Sequence, residues 1–129
     1  EGVIVIGVPY YQKIKKPQSM KNRGRIASVA WGKDYHEVVK AKLNGLGTCL
    51  LKENEGFDYR IYVDNSRLVD RGTAWRAGLG FFGKNNTLIN SRYGSFFFIG
   101  LMLINQKIDF KKKYKKFDLY LEDFHFSIL

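Results

Sequence analysis

Residues 3–9 (VIVIGVP) form an apolar, largely β-branched run closed by Pro9, the pattern of a strand buried on both faces. Residues 10–25 are polar, contain Pro17 and Gly24, and read as a long exposed loop. Asp34 and Glu37 have the spacing of a capping box and open a helix. Along it Tyr35, Val38, Val39, Leu43, Leu46 and Leu50 fall on one apolar stripe. Gly45 and Gly47 weaken that helix by about 1 kcal/mol each relative to Ala, and Gly56 closes it.

Residues 59–63 (YRIYV) predict a second strand ending at Asp64. Asn65 or Ser66 can cap a short helix running through Ala77, with Leu68, Ala74 and Trp75 inward and Gly78 as its left-handed stop. After a glycine-rich turn, Thr87–Asn90 and Ser95–Ile104 predict two more strands joined by a turn at Tyr93–Gly94. This order indicates an α+β fold, a helix-covered mixed or antiparallel sheet with at least one antiparallel pair.

The 129 residues fit one domain, and 45% hydrophobic with 26% charged residues is ordinary globular usage. The longest apolar stretch, Phe96–Ile104, is too short to cross a bilayer as a helix. A single cysteine, Cys49, excludes an intrachain disulfide and any site built from cysteines alone. No charged segment precedes an apolar one in the manner of a signal peptide. The chain starts directly in a strand and ends in FDLYLEDFHFSIL, so it reads as a piece of a larger protein.

The net charge of +10 adds an anionic partner to the picture, nucleic acid above all. Residues 107–116 alone hold six Lys and one Asp. A solvated basic surface explains the same balance equally well.

GLGFFG (78–83) matches G-x-G-x-x-G literally, but it follows a predicted helix and precedes a strand, which is the wrong context for dinucleotide binding. Asp64 sits between a strand and a helix, where α/β folds place chemistry, although a turn carboxylate reads the same way. His36 and His125 are isolated histidines, and no His and carboxylate pair has metal-ligand spacing. Cys49, with no base nearby, reads as a small core residue. The strand SFFFIG (95–100) is greasy on both faces and needs cover from helices or from a large planar cofactor.

Three segments taken together, AWGKDYH (30–36), VDNSRLVDRGTAWRAGLGFFGK (63–84) and GSFFFIG (94–100), resemble the N-terminal, cobalamin-binding domain of the epoxyqueuosine reductases. That family completes queuosine synthesis on the wobble base of certain tRNAs. The resemblance spans roughly residues 3–108. It implies a nitroreductase-like α+β fold, with residues 1–110 a partial cobalamin-binding domain and 111–129 a basic run and atypical tail. It implies an oxidoreductase using cobalamin, followed in the family by a region with two [4Fe-4S] clusters whose cysteines this chain lacks. A cytoplasmic monomer acting on tRNA, without a membrane, is expected; the electron donor is not named by the resemblance. The isolated chain is expected to be inactive without the iron–sulfur region.

By position, Asp64 matches the family's proton donor and lies at its cofactor site. Ala27, Leu88 and Ile99 match positions whose main-chain atoms hold the corrin, and no side chain is expected to ligate a metal. His36, Arg71 and Lys84 also fall on motif positions, with no role assigned. Opening an epoxide reductively puts negative charge on oxygen, and a positioned acid must protonate it as the bond breaks. An aspartic acid, ordinarily near pKa 3.9, serves at neutral pH only if that value is raised. Desolvation between aromatic rings and the corrin face is the expected cause.

The sequence departs from the family pattern at Arg67, Asp70, Leu101 and Asn85–Asn86, and residues 117–129 match nothing in it. Two further readings stay open: a non-catalytic basic module binding tRNA or other RNA, and a degenerate remnant.

Overall fold

The computed structural model describes residues 2–13, 24, 26–65, 68–107 and the backbone of 125–128. Strand β1 (Gly2–Pro9) is followed by a 3-10 turn (Ser28–Ala30), helix α1 (Tyr35–Glu53) and strand β2 (Tyr59–Tyr62). Helix α2 (Asp70–Arg76), two short strands β3 (Phe81–Phe82) and β4 (Leu88–Ile89), strand β5 (Phe97–Ile104) and strand β6 (His125–Ile128) complete the order. The main sheet runs β2-β5-β1-β6 with every neighbouring pair antiparallel, and β3 pairs with β4 as a separate ribbon. The expected α+β class with an antiparallel sheet and covering helices is what the structure shows.

Two apolar runs make this sheet. All eight residues of β1 pair with β5, from Gly2 opposite Ile104 to Pro9 opposite Phe97. Side chains alternate across a strand, so each run supplies both faces. Ile4, Ile6, Val8, Met102 and Ile104 form one core with Val39, Leu43, Leu46 and Leu50 of α1. Val5, Phe97 and Leu101 form a second core on the opposite face with Ala74, Leu79 and Leu88. The two-sided burial expected of residues 3–9 is present from Ile4 to Val8.

Two glycines let α1 approach the sheet closely. A Cβ on Gly100 would overlap Val39 Cγ1 and crowd Leu43 and Ile6, all buried side chains. A Cβ on Gly47 would overlap the Tyr59 ring. Gly47 therefore serves packing at the expense of helix propensity, whereas Gly45 faces open space.

Several expectations change. The second helix starts at Asp70, not just after Asn65, and its cap residue Val69 makes no side-chain capping bond; Ser66 lies outside the described residues. With only two turns, α2 buries Ala74 alone, so Leu68 and Trp75 are exposed rather than inward, Trp75 by 53%. Gly78 at φ +82 ends the helix as expected.

The glycine-rich turn contains β3, which takes β4 as its partner. Thr87–Asn90 narrows to Leu88–Ile89 and does not join β5 as a strand, because it folds back on Phe81–Phe82 of β3 instead. A single bridge between Asn90 and Gly94 closes the expected turn. Most of the polar loop (14–23 and 25), the basic run from 108 on and residues 117–124 lie outside the described residues. No helix among the described residues is long and apolar enough to cross a membrane.

Gly100→Ala is predicted to lower the urea unfolding midpoint, reflecting a loss of about 1–3 kcal/mol from overpacking between α1 and β5. Gly45→Ala, at an exposed helical site, should raise it by up to about 1 kcal/mol. Equal midpoints for the two variants would contradict the close approach of helix and sheet.

Candidate active site

The C-terminal end of β2 carries Val63, which is buried, and then Asp64, whose backbone is left-handed at φ +59. That conformation is uncommon for a residue with a side chain, and Asp tolerates it better than most. The turn aims the Asp64 carboxylate at the first turn of α1, where it accepts a hydrogen bond from the Tyr35 hydroxyl at Oδ2. His36 Nε2 lies 3.8 Å from the same oxygen, beyond hydrogen-bond reach.

The start of α1 is built by Asp34. Its Oδ1 accepts the His36 backbone N–H at 2.9 Å, a capping bond to the second helical residue. The same oxygen meets His36 Nδ1 at 2.8 Å. Glu37, the other half of the expected capping box, is exposed. An ionised carboxylate can only accept, so the Nδ1 proton belongs on this bond and Nε2 faces Asp64. The His36 ring and backbone N–H together hold the Asp34 carboxyl below its usual range.

Aromatic rings fix the geometry. The Tyr35 ring stacks on Phe98 of β5 at 4.2 Å, planes 7° apart, and on His36 at 4.1 Å. Phe98 in turn packs against Tyr10 at 4.5 Å. The hydrogen bond to Asp64, then burial, then the nearby charges of Asp64 and Asp34 push the Tyr35 phenol up to about 12. Tyr35 is therefore a permanent donor. The Asp64 side chain is 52% exposed and that of His36 40%, so one side of the cluster is open. The desolvation expected at Asp64 is not supplied by the described residues.

β2 pairs with β5 only over Leu101–Ile104. Along the edge it leaves, Phe97–Gly100 has no strand partner among the described residues, so main-chain groups face outward beside Asp64. Ile99 lies in that stretch and packs against the second core, in which Leu88 is buried. Leu88 follows Thr87, whose Oγ1 is buried with no hydrogen-bond partner among the described residues. Ala27 lies in an exposed segment, its carbonyl accepting the Ala30 N–H at 3.0 Å. The structure thus gathers Leu88 and Ile99 on one core and Asp64 at the strand edge, while Ala27 lies on the approach to α1.

Arg71 Nη1 donates to the Asn86 carbonyl at 2.6 Å and ties α2 to the turn after β3; Lys84 is exposed on that turn. Asn90, a buried polar residue, donates to the Leu79 carbonyl at 2.6 Å and accepts the Arg92 N–H at 2.9 Å. Cys49 is half-buried on α1, and among the described residues no group of three His, Cys, Asp or Glu side chains could hold a metal. A depression of about 590 Å³ lined by Gly2, Asp58, Tyr59 and Asn105 lies at the other end of β2 and is separate from Asp64.

Sequence reasoning singled out Asp64 but missed Tyr35 as its partner, having placed that side chain on the apolar stripe of α1. The two are 29 residues apart, and no local signal joins them.

Comparison with known proteins places the chain in a family. Residues 1–65 match the family described as Epoxyqueuosine reductase QueG, DUF1730. The chain is 40% identical over 109 residues to the epoxyqueuosine reductase of Lactococcus garvieae, covering 83% of this chain and 31% of that protein. It is similar to the solved structure of epoxyqueuosine reductase from Streptococcus thermophilus, with a TM-score of 0.71 and 36% identity over 83% of this chain and 29% of that one. A further solved structure, an epoxyqueuosine reductase with a tRNA-Tyr epoxyqueuosine-modified tRNA stem loop, matches with a TM-score of 0.66 and 30% identity, covering 88% of this chain and 32% of that one. The chain spans about a third of the length of the relatives it matches. With half of its residues under the family model, the chain belongs to the epoxyqueuosine reductase family.

Proposed function

We propose that this chain is the acid-bearing, cobalamin-holding part of an enzyme that reduces epoxyqueuosine to queuosine at the wobble position of tRNA. The observation that carries this reading is Asp64, held on a left-handed turn by the Tyr35 hydroxyl beside an open strand edge. The nitroreductase-like corrinoid fold belongs to the same proposal.

The residues fit a large planar group with a polar rim. The open edge at Phe97–Gly100 offers main-chain groups, and the buried Thr87 hydroxyl beside Leu88 lacks a partner among the described residues. Ile99 and Leu88 would hold the corrin through their main chain, with Ala27 contributing from the approach to α1. Bound there, cobalamin supplies the electrons for the reduction. The iron–sulfur clusters that feed it are proposed to belong to sequence outside these residues, since Cys49 is the single cysteine.

The chain's own part is proton delivery. Asp64 gives its proton to the epoxide oxygen as the carbon–oxygen bond breaks. The carboxylate left behind accepts the Tyr35 O–H, a donor that keeps its proton throughout the physiological range. His36, oriented through Nδ1 by Asp34, presents Nε2 toward the Asp64 oxygen. A ligand closing the open side excludes water from this cluster and so favours the neutral acid over its anion.

Cob(II)alamin added to the protein is predicted to shift its visible spectrum on binding. Asp64→Asn should bind it equally well, yet in the complete reductase it should lower turnover by about 10²–10⁴-fold. Unchanged turnover would remove Asp64 from the acid role. RNA binding without any corrinoid response would favour the non-catalytic basic module instead.

A second prediction concerns the Tyr35 phenol. Its ionisation, followed by ring-labelled NMR, is expected at about 12 and should fall toward the ordinary 10 in Asp64→Asn. A folded value above the unfolded one means that this interaction contributes its full stability below about pH 10 and loses it as pH rises to about 12. Ionisation at the same pH in both proteins would show that Asp64 is not the acceptor.

A further inference from the structure

A row of aromatic rings runs from the Asp64 cluster to the surface. Tyr35 stacks on Phe98, Phe98 packs on Tyr10, and Tyr10 meets Phe96 edge-on at 5.9 Å with the planes 71° apart. Tyr11 closes the row against Phe96 at 5.3 Å. The outer two rings are open to solvent, Tyr11 by 63% and Phe96 by 41%. The backbone of Phe96 and of Tyr10, the neighbour of Tyr11, is tied to the sheet, since the Tyr10 N–H donates to the Phe96 carbonyl at 3.0 Å, prolonging the β1–β5 pairing by one step.

Two adjacent exposed aromatic rings on a fixed backbone are a surface for a partner rather than stray apolar residues. The charge that follows Tyr11 in sequence selects its chemistry. From residue 12 to residue 25 the sequence holds Lys13, Lys15, Lys16, Lys21, Arg23 and Arg25 and no acidic residue. A flat apolar surface that continues in sequence into an acid-free cationic stretch suits a base with its phosphates, because every base offers a π-face. Sequence-specific RNA recognition also targets unstacked loop bases in this way.

We propose that Tyr11 and Phe96 form a stacking platform for an unpaired base of the RNA substrate. The ring row holds that base at a fixed position relative to Asp64, and Tyr11 and Phe96 act as positioning residues. The inference rests on the tRNA-reductase reading and adds to it the surface that presents the anticodon loop.

The test compares an unmodified anticodon stem-loop RNA with a blunt duplex of equal charge, by fluorescence anisotropy at several salt concentrations. Tyr11→Ala should weaken stem-loop binding about tenfold, and Tyr11→Phe should restore it. Duplex binding and the slope of affinity against salt should stay as in the wild type, because no phosphate contact is lost. Phe96→Ala should show the same pattern, and Tyr11→Ala should leave the cob(II)alamin spectrum unaltered. Unchanged stem-loop affinity in Tyr11→Ala, beside a wild type that prefers the stem-loop, overturns the platform alone. An equal loss on duplex, or a weakened cob(II)alamin response, overturns it as well. A wild type that does not distinguish stem-loop from duplex overturns the platform together with the loop-substrate reading.

Discussion

The uneven pairing of β5 is the constraint on which the rest of the molecule depends. On one edge β1 accompanies it for all eight residues; on the other, β2 accompanies only Leu101–Ile104. Where β2 stops, the chain turns through Val63 and Asp64, and the first half of β5 is left with an open edge. The same half of β5 points Phe98 and Gly100 toward α1 and Phe97 and Ile99 toward α2. Both cores and the carboxylate therefore meet at one short length of strand. A one-residue slip would exchange the two faces and separate Phe98 from Tyr35.

Around that junction the chemistry is distributed by hydrogen-bonding capacity. Tyr35 donates to the Asp64 carboxylate, the ionised Asp34 can only accept from His36, and His36 can do either at the nitrogen left over. Three ionisable groups around one carboxylate thus have distinct roles, set by a capping bond and a stacked ring. Half exposure of Asp64 keeps the site reachable by a large substrate.

Much of this was legible in local sequence. The apolar run at 3–9, the Asp34 start of α1, the YRIY strand and the Gly78 stop all rest on patterns within a few residues, and the structure has each. What was not legible depends on distance along the chain. The start of α2 moved because Asp64 takes a left-handed turn that no spacing announces. Trp75 was expected inward together with Ala74, yet the two-turn helix buries Ala74 alone. Phe81 and Phe82 looked like turn residues because their partner β4 lies beyond Lys84. Tyr35 satisfied the helical stripe and so concealed its bond to Asp64. Asp64 itself was marked by its place at a strand end and by family resemblance, neither of which describes its partners.

Asp34 carries a double duty that ties evolution of the fold to evolution of the chemistry. Ser, Thr or Asn there would still begin α1 through a neutral oxygen, leaving the helix intact. None would place a negative charge on the imidazole, so the ring would lose the electrostatic reason to keep its proton on Nδ1. Drift at this position therefore reaches beyond the start of a helix to the imidazole that faces Asp64.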